Sequence, residues 1–367
     1  MALVRDARDQ FDWTLFVTVA ALSVIGVVNL YSATSVEGGT RSDIYIQQIY
    51  WLTLGAGVAV LVAAIDYRHY ERLGWVAYGG GLVLLVLVFL LGRGIRGSTR
   101  WISIGGSSLQ PSELMKIGLI IALAKYLHHD PKTGGRTLKD LIVPGLIAAV
   151  PMGLVLLQPD LGTAVMLAFI FASIMVLTQL KARSLLALVV LFAVSAPITW
   201  EYLLHDYQRD RILTFMDPHA DLLDTGWHSH QSLVAIGSGG FWGKGFMQGS
   251  QSQHRFLPDQ HTDFPFSVWA EEQGLAGVLL LLSLYFFLIL WGIKIASQAK
   301  DRFGAVVAVG VSAMIFWHTT VNIGMVTGML PVVGVTLPLF SYGGSSVLAT
   351  MMGIGLLMNV SMRRFHY

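Results

Sequence analysis

The 367-residue sequence contains no cysteine. Disulfides, thiolate metal sites and cysteine nucleophiles are excluded, and the absence suits a face in an oxidising compartment. Charge is scarce as well. Asp, Glu, Lys and Arg make up 13% of the chain, where a soluble domain carries about a quarter. The net charge is +2 and there is no basic run, so no nucleic-acid surface is indicated. Apolar residues fill the space, at 54% with a mean hydropathy of +0.63, which defines an integral membrane protein. The first apolar run, Trp13 to Tyr31, exceeds the roughly 7–15-residue core of a cleavable signal, and similar runs follow it.

A membrane span takes roughly 20 apolar residues. Charge-free runs of that order fall at 13–36, 44–65, 73–92, 141–159, 161–180, 184–200 and 273–293. The run 303–362 holds two more, with Gly324, Gly328, Pro331, Gly334 and Pro338 marking the break. One further span, at 110–127, carries Glu113 and Lys116 near its start. The pattern predicts an all-α polytopic membrane protein with ten transmembrane helices, one domain over 1–367. With both termini cytoplasmic, most of the 24 Lys and Arg residues fall in short inner segments, as the positive-inside rule requires. The long polar stretch 201–264 then becomes a large extracytoplasmic loop between helices 7 and 8.

Few residues are left to carry chemistry. Arg93, Arg96 and Arg100 share an outer loop that has no acid. A basic outer loop is tolerated when its neighbours fix the topology, but arginine forks among glycines also suit a phosphate. Glu113 and Lys116 lie three residues apart on one helix face. Capping and an ion pair would explain them, yet ionisable groups at membrane depth usually line a cavity. Asp160, in a short Pro-Asp turn before Leu-Gly, reads first as a helix cap. Asp263 ends the long loop beside Phe264, Pro265 and Phe266. It too could cap a helix, but partial burial at a water–membrane boundary would suit a general base. His254 and His261 are nearby, and two loosely spaced histidines support a zinc site only weakly. The Gly- and Ser-rich segment 226–253 reads as flexible, with a half-amphipathic piece at 232–236 for the membrane surface.

Four stretches together resemble the SEDS family (shape, elongation, division and sporulation proteins): STRWISIGGSSLQPSELMKIG, QPDLGTAVM, IGSGGFWGKGFMQGSQSQHRFLPDQHTDFPFSVWAEEQG and GVTLPLFSYGGSSVLATMMGIGLLM. Their order and spacing match over nearly the whole chain, and the AEE after HTDF resembles the elongation branch more than the division branch. The resemblance implies a peptidoglycan glycan-strand polymerase in the bacterial inner membrane, using lipid II and working with a class B penicillin-binding transpeptidase in the elongation machinery. It implies that Asp263 is the essential carboxylate. It also implies that Arg100, Glu113 and Lys116 belong to the central cavity and that Asp160 is the acid of QPDLGT. Pro265 departs from the family pattern, which has a branched aliphatic residue there. It disfavours helical geometry at Phe264 and leaves the start of the next helix open.

The chemistry so implied joins a sugar C4 hydroxyl to an anomeric carbon and expels a lipid diphosphate. One carboxylate can take the hydroxyl proton, and the leaving group needs cations and no general acid. Asp263 is the expected base, and Arg100, Arg96 and Lys116 the expected diphosphate ligands, with Glu113, Asp160 and His261 lining the substrate site. No metal site is read from the sequence; a Mg2+ or Mn2+ ion bridging diphosphate and carboxylate would be compatible with it. The rival readings are a lipid II flippase and a scaffold for the transpeptidase.

Overall fold

The structure is a computed structural model. It describes residues 11–34, 43–95, 98–104, 107–130, 132, 135–178, 180–184, 186, 190, 194, 197, 199–203, 206–216, 225–254, 256–257 and 260–363. Among the described residues twelve helices and three strands run in the order α1 (Trp13–Thr34), α2 (Ile44–Ala64), α3 (Tyr67–Leu91), β1 (Arg93–Ile95), β2 (Ser98–Ile104), β3 (Ser107–Leu109), α4 (Pro111–His129), α5 (Ile142–Leu157), α6 (Leu161–Val176), α7 (Asp206–Met216), α8 (Thr225–Ser238), α9 (Ser250–Gln253), α10 (Pro265–Ser297), α11 (Arg302–Val326) and α12 (Gly344–Arg363). A 3₁₀ turn, Leu138–Leu141, precedes α5, and a π turn spans Thr199–Leu203. Among the described residues seven helical segments are long and apolar enough to cross a membrane, and α6 is a shorter apolar helix.

The chain is predominantly helical, as expected, with one addition the sequence reading lacked, the small antiparallel sheet β1-β2-β3 between α3 and α4. Thr99, Trp101, Ile102 and Ile104 are strand formers, and glycines separate the three short runs, so hairpins form where a helix would have no apolar face. Ile102 pairs with Leu109 and Ser103 with Ser108. Two helix starts also move. α3 begins at Tyr67 and not at 73, because Asp66 accepts from the Arg68 N–H at 2.9 Å and caps it. α10 begins at Pro265, eight residues ahead of the charge-free run 273–293, so the helix start that Pro265 left open falls on Pro265 itself. The expected span 184–200 lies largely outside the described residues.

α4, α11 and α12 form the centre. Leu119, Ile120, Leu123, Val311 and Leu357 are wholly or almost wholly enclosed. α2 and α3 instead expose Val60, Leu61, Val76 and Leu90, the pattern of helices facing lipid. In a bilayer, close packing and not water exclusion holds helices together. A side chain at Gly355 of α12 would meet the Ala59 carbonyl of α2 at 2.7 Å, so only glycine admits this approach. The open end of α2 is closed from α12 as well: Asn359 Nδ2 donates to the Val62 and Ala63 carbonyls at 2.7 and 3.2 Å.

Part of the Gly-rich segment expected to be flexible is pinned by its backbone at Gly239–Gly245, although Phe241, Trp242 and Phe246 remain exposed. α10 breaks at Gly274, whose φ of +63° and ψ of −164° are open to glycine and strained for other residues. The break orphans backbone groups, which a membrane protein must satisfy internally. The turn after α8 supplies the partners. The Leu275 and Ala276 N–H groups donate to the Gly240 and Phe241 carbonyls, and Lys244 and Gly245 donate back to the Glu271 and Glu272 carbonyls, all at 2.9–3.1 Å. A Cβ at Gly243 would sit 2.1 Å from the Glu272 carbonyl. The 232–236 piece has two faces: Leu233 and Val234 are exposed, while Ala235 is buried and Ser232 is buried and bonded to Ser267 Oγ and the Val326 carbonyl.

Candidate active site

The segment between α11 and α12 gathers the site. After the turn at Thr327–Leu330 the chain runs without regular secondary structure from Pro331 to Leu337, with Gly334 at a φ of +71°, and buries Val335, Leu337, Leu339 and Phe340. A non-helical backbone inside a membrane protein needs partners for its polar groups, and here they come from the residues of interest. Asn322 of α11 donates from Nδ2 to the Val335 carbonyl at 2.7 Å and to the Asp263 carbonyl at 3.0 Å. A Cβ on Gly334 would lie 3.6 Å from Asp263 Oδ2, so the carboxylate rests against that glycine. The Tyr342 N–H donates to the His261 carbonyl at 2.8 Å.

Asp263 is half-buried and stands just outside α10. Phe264 is the N-cap residue with non-helical φ −116° and ψ 26°, Pro265 opens the helix, and no side chain caps it. Proline at the first position loses no bond the helix would have made and holds Phe264 off helical geometry. Pro265 therefore fixes the helix start, and Asp263 is not the N-cap of α10.

Glu113 and Lys116 do pair. Lys116 Nζ is 2.8 Å from Glu113 Oε1, and both side chains are buried in the first turns of α4. A third member comes from α11: His318 Nε2 lies 2.7 Å from Lys116 Nζ. His318 Nδ1 faces the Thr336 carbonyl at 3.2 Å, and Thr336 Oγ1 meets Ser346 Oγ at 2.8 Å. His318 and Asn322 are one turn apart on α11, so one helix face grips consecutive carbonyls of the non-helical segment.

Arg100 and Asp160 meet on the other side of the α4 N-terminus. Arg100 Nη1 is 3.6 Å from Asp160 Oδ1, and its guanidinium also donates to the Gln158 and Pro159 carbonyls. Asp160 caps α6 through the Thr163 N–H at 3.2 Å and hydroxyl at 2.9 Å, and accepts from Gln110 Nε2 at 2.9 Å. Gln110 is the N-cap residue of α4, three positions before Glu113. Arg96 lies outside the described residues, as do Asp217, Asp221, Asp224, Arg255 and Asp259. Among the described residues no group of three His, Asp or Glu is spaced to hold a metal.

Sequence reasoning missed His318 and Asn322. Polar residues four apart inside the apolar run Arg302–Val326 were the available signal, since such groups in a span usually face a bundle interior. It also missed the depth of Glu271, which is fully enclosed and accepts from Lys244 Nζ at 2.8 Å and the Gln251 and Ser252 N–H groups at 2.9 and 3.2 Å.

A helical bundle with membrane-length apolar helices, in which one non-helical segment meets both an acid and the partner of a buried cation, defines a class of polytopic membrane protein. A family model described as "Cell cycle protein" (FtsW, RodA, SpoVE) matches residues 12–366, and the chain belongs to that family. It is 41% identical to the peptidoglycan glycosyltransferase MrdB of Escherichia coli K12, over 97% of this chain and 94% of that one. It is 33% identical to the peptidoglycan glycosyltransferase RodA of Treponema pallidum, over 98% and 99%. Among solved structures it resembles a chain from a peptidoglycan synthase complex that coordinates polymerization and crosslinking, with TM-score 0.83 and 36% identity over 97% of this chain and 99% of that one. The rod shape determining protein RodA of Thermus thermophilus is similar at TM-score 0.73 and 35% identity, over 97% and 98%.

Proposed function

We propose that this chain is an elongation-type peptidoglycan glycosyltransferase. It joins the GlcNAc 4-hydroxyl of one lipid II unit to the MurNAc anomeric carbon of another, with loss of undecaprenyl diphosphate. The observation that carries the reading is near full-length identity of 33–41% to proteins named for that activity. Asp263 is the proposed base. Its carboxylate is half-buried beside Gly334, and its backbone is fixed by Asn322. Taking the hydroxyl proton there makes the sugar oxygen a nucleophile, and a single displacement inverts the anomeric centre.

The proposed cation for the departing diphosphate is Lys116, which is enclosed and bonded to Glu113 and His318 and so acts through its field and not by contact. Arg100 receives a narrower role than the sequence suggested. Its guanidinium is committed to the turn at 158–160, so it shapes the rim, and Asp160, His261 and Glu113 hold the site's backbone and charge. Were a Mg2+ or Mn2+ ion bound, Asp263 would be the residue to hold it, and the ion would supply positive charge for the departing diphosphate. In this reading the chain has ten transmembrane helices, both termini are cytoplasmic, and 201–264 is the large extracytoplasmic loop. Its partner is a class B penicillin-binding transpeptidase.

The test is polymerisation of lipid II by purified protein. Asp263→Asn is expected to fold, to bind lipid II and to make no glycan; polymerisation near the parent rate would overturn the base assignment. A flippase is the second reading, favoured by the buried Glu113–Lys116–His318 group at membrane depth. It predicts transfer of labelled lipid II across vesicles without glycan.

A further inference from the structure

Lys116, His318 and Thr336 form a continuous hydrogen-bonded path from α4 through α11 to the non-helical segment. The partners fix the direction of each bond. A lysine ammonium only donates and a backbone carbonyl only accepts. His318 Nε2 must therefore accept from Lys116, and Nδ1 must carry the hydrogen given to Thr336. The imidazole is held neutral in one tautomer, between a buried cation and a carbonyl two residues from Gly334. One turn along α11, Asn322 holds the intervening Val335 carbonyl and the Asp263 backbone. Gly334, the glycine against the Asp263 carboxylate, thus sits beside two carbonyls that α11 pins in register.

We propose that His318 is a positioning residue for glycan polymerisation, setting the direction of the Lys116 ammonium and the register of the 331–337 segment against Asp263. This rests on the polymerase reading above. His318 is buried behind the segment and does not act on substrate itself. Its removal leaves Lys116 with one partner where it had two, and leaves the Thr336 carbonyl free to move.

The test compares His318→Phe, which keeps a ring but no polar atom, with His318→Gln, which can still accept from an ammonium and donate to a carbonyl. Initial rates are measured against lipid II concentration and normalised to monodisperse, thermally folded protein. Losing a bond to a charged group predicts a fall in kcat of roughly 10- to 100-fold for the Phe variant. KM should change by no more than about twofold, since an interaction made chiefly in the transition state lowers kcat and spares KM. The Gln variant should recover to within about threefold of the parent, and carries the test alone if the Phe variant does not fold. Parent-like kcat in the Phe variant overturns the proposal, as does a folded Gln variant without recovered turnover. A change confined to KM also overturns it, because His318 would then serve binding. Asp263→Asn run in parallel separates the two claims. Activity in that variant sinks the base reading; an inert Asp263→Asn beside a fully active His318→Phe sinks only the positioning role.

Discussion

Replacing Lys116 by Met would test what the buried pair contributes. The side chain is 1% exposed, and its ammonium meets Glu113 and His318 at 2.8 and 2.7 Å. Met retains the apolar stem and removes the charge, leaving the enclosed Glu113 carboxylate without its cation. Breaking a buried pair on one side costs about 3–5 kcal/mol. Part of this, about 0.3–1 kcal/mol, is returned, because an ammonium near the N-terminus of α4 opposes the helix dipole and is removed. A net loss of roughly 2–5 kcal/mol is expected. Lys116→Met/Glu113→Gln should recover most of it, since the stranded charge is gone. The assay is reversible unfolding in mixed micelles for the parent, the two single variants and the double variant, with lipid II polymerisation in each. If the double variant is no more stable than Lys116→Met, the buried-charge argument is refuted. Recovery of stability without activity would assign Lys116 a part in the chemistry; recovery of both would make the pair structural.

Gly243→Ala should be among the most damaging single-methyl changes in the chain. It places a Cβ 2.1 Å from the Glu272 carbonyl at a φ of +79° and threatens two of the four backbone bonds that close the Gly274 break, those from the Lys244 and Gly245 N–H groups. A loss of about 2–4 kcal/mol in micelle unfolding is expected from strain plus two bonds. Gly237→Ala, where no atom lies within 4 Å, serves as the neutral control. Arg100→Lys keeps the charge but not the fork that reaches three groups of the 158–160 turn. It should cost about 1–3 kcal/mol and should not behave like the parent in polymerisation. Parent-like stability and KM in that variant would show that charge alone matters.

Much of this fold was legible because period and composition act locally. The apolar runs at 13–36 and 44–65 became α1 and α2 with little change, and the glycines and prolines between Gly324 and Pro338 marked the segment that leaves helix. What escaped notice depends on contacts distant in sequence. Nothing in GSGGFWGKG announces that its carbonyls will close a helix break thirty residues on, so packed glycines read as flexible ones. Arg100 looked like a free phosphate ligand because its acceptors, the carbonyls at 158 and 159, are main-chain groups without a residue signature. Asp263, Glu113 and Lys116 were legible as ionisable groups where apolar ones are expected. His318 carries the same signal and was passed over within a long apolar run.

The two kinds of support in the site follow from where each charge lies. Lys116 and Glu113 are enclosed, so their charges must be satisfied by side chains placed on α4 and α11, and that arrangement holds only if both helices hold. Asp263 stands at a helix start, is only half-buried, and has its carbonyl fixed by Asn322. Its backbone is thus fixed while its side chain is only partly enclosed, a division that suits the base role proposed for it, since a base must exchange a proton at each turnover. The helix break at Gly274 serves the same end. It makes the first nine residues of α10 a separate piece, anchored by buried Glu271 and by Asn29, whose Nδ2 donates to the Pro265 carbonyl at 2.9 Å. The position of Asp263 is then set by that anchored piece, and movements of the long lipid-facing remainder of α10 need not reach it.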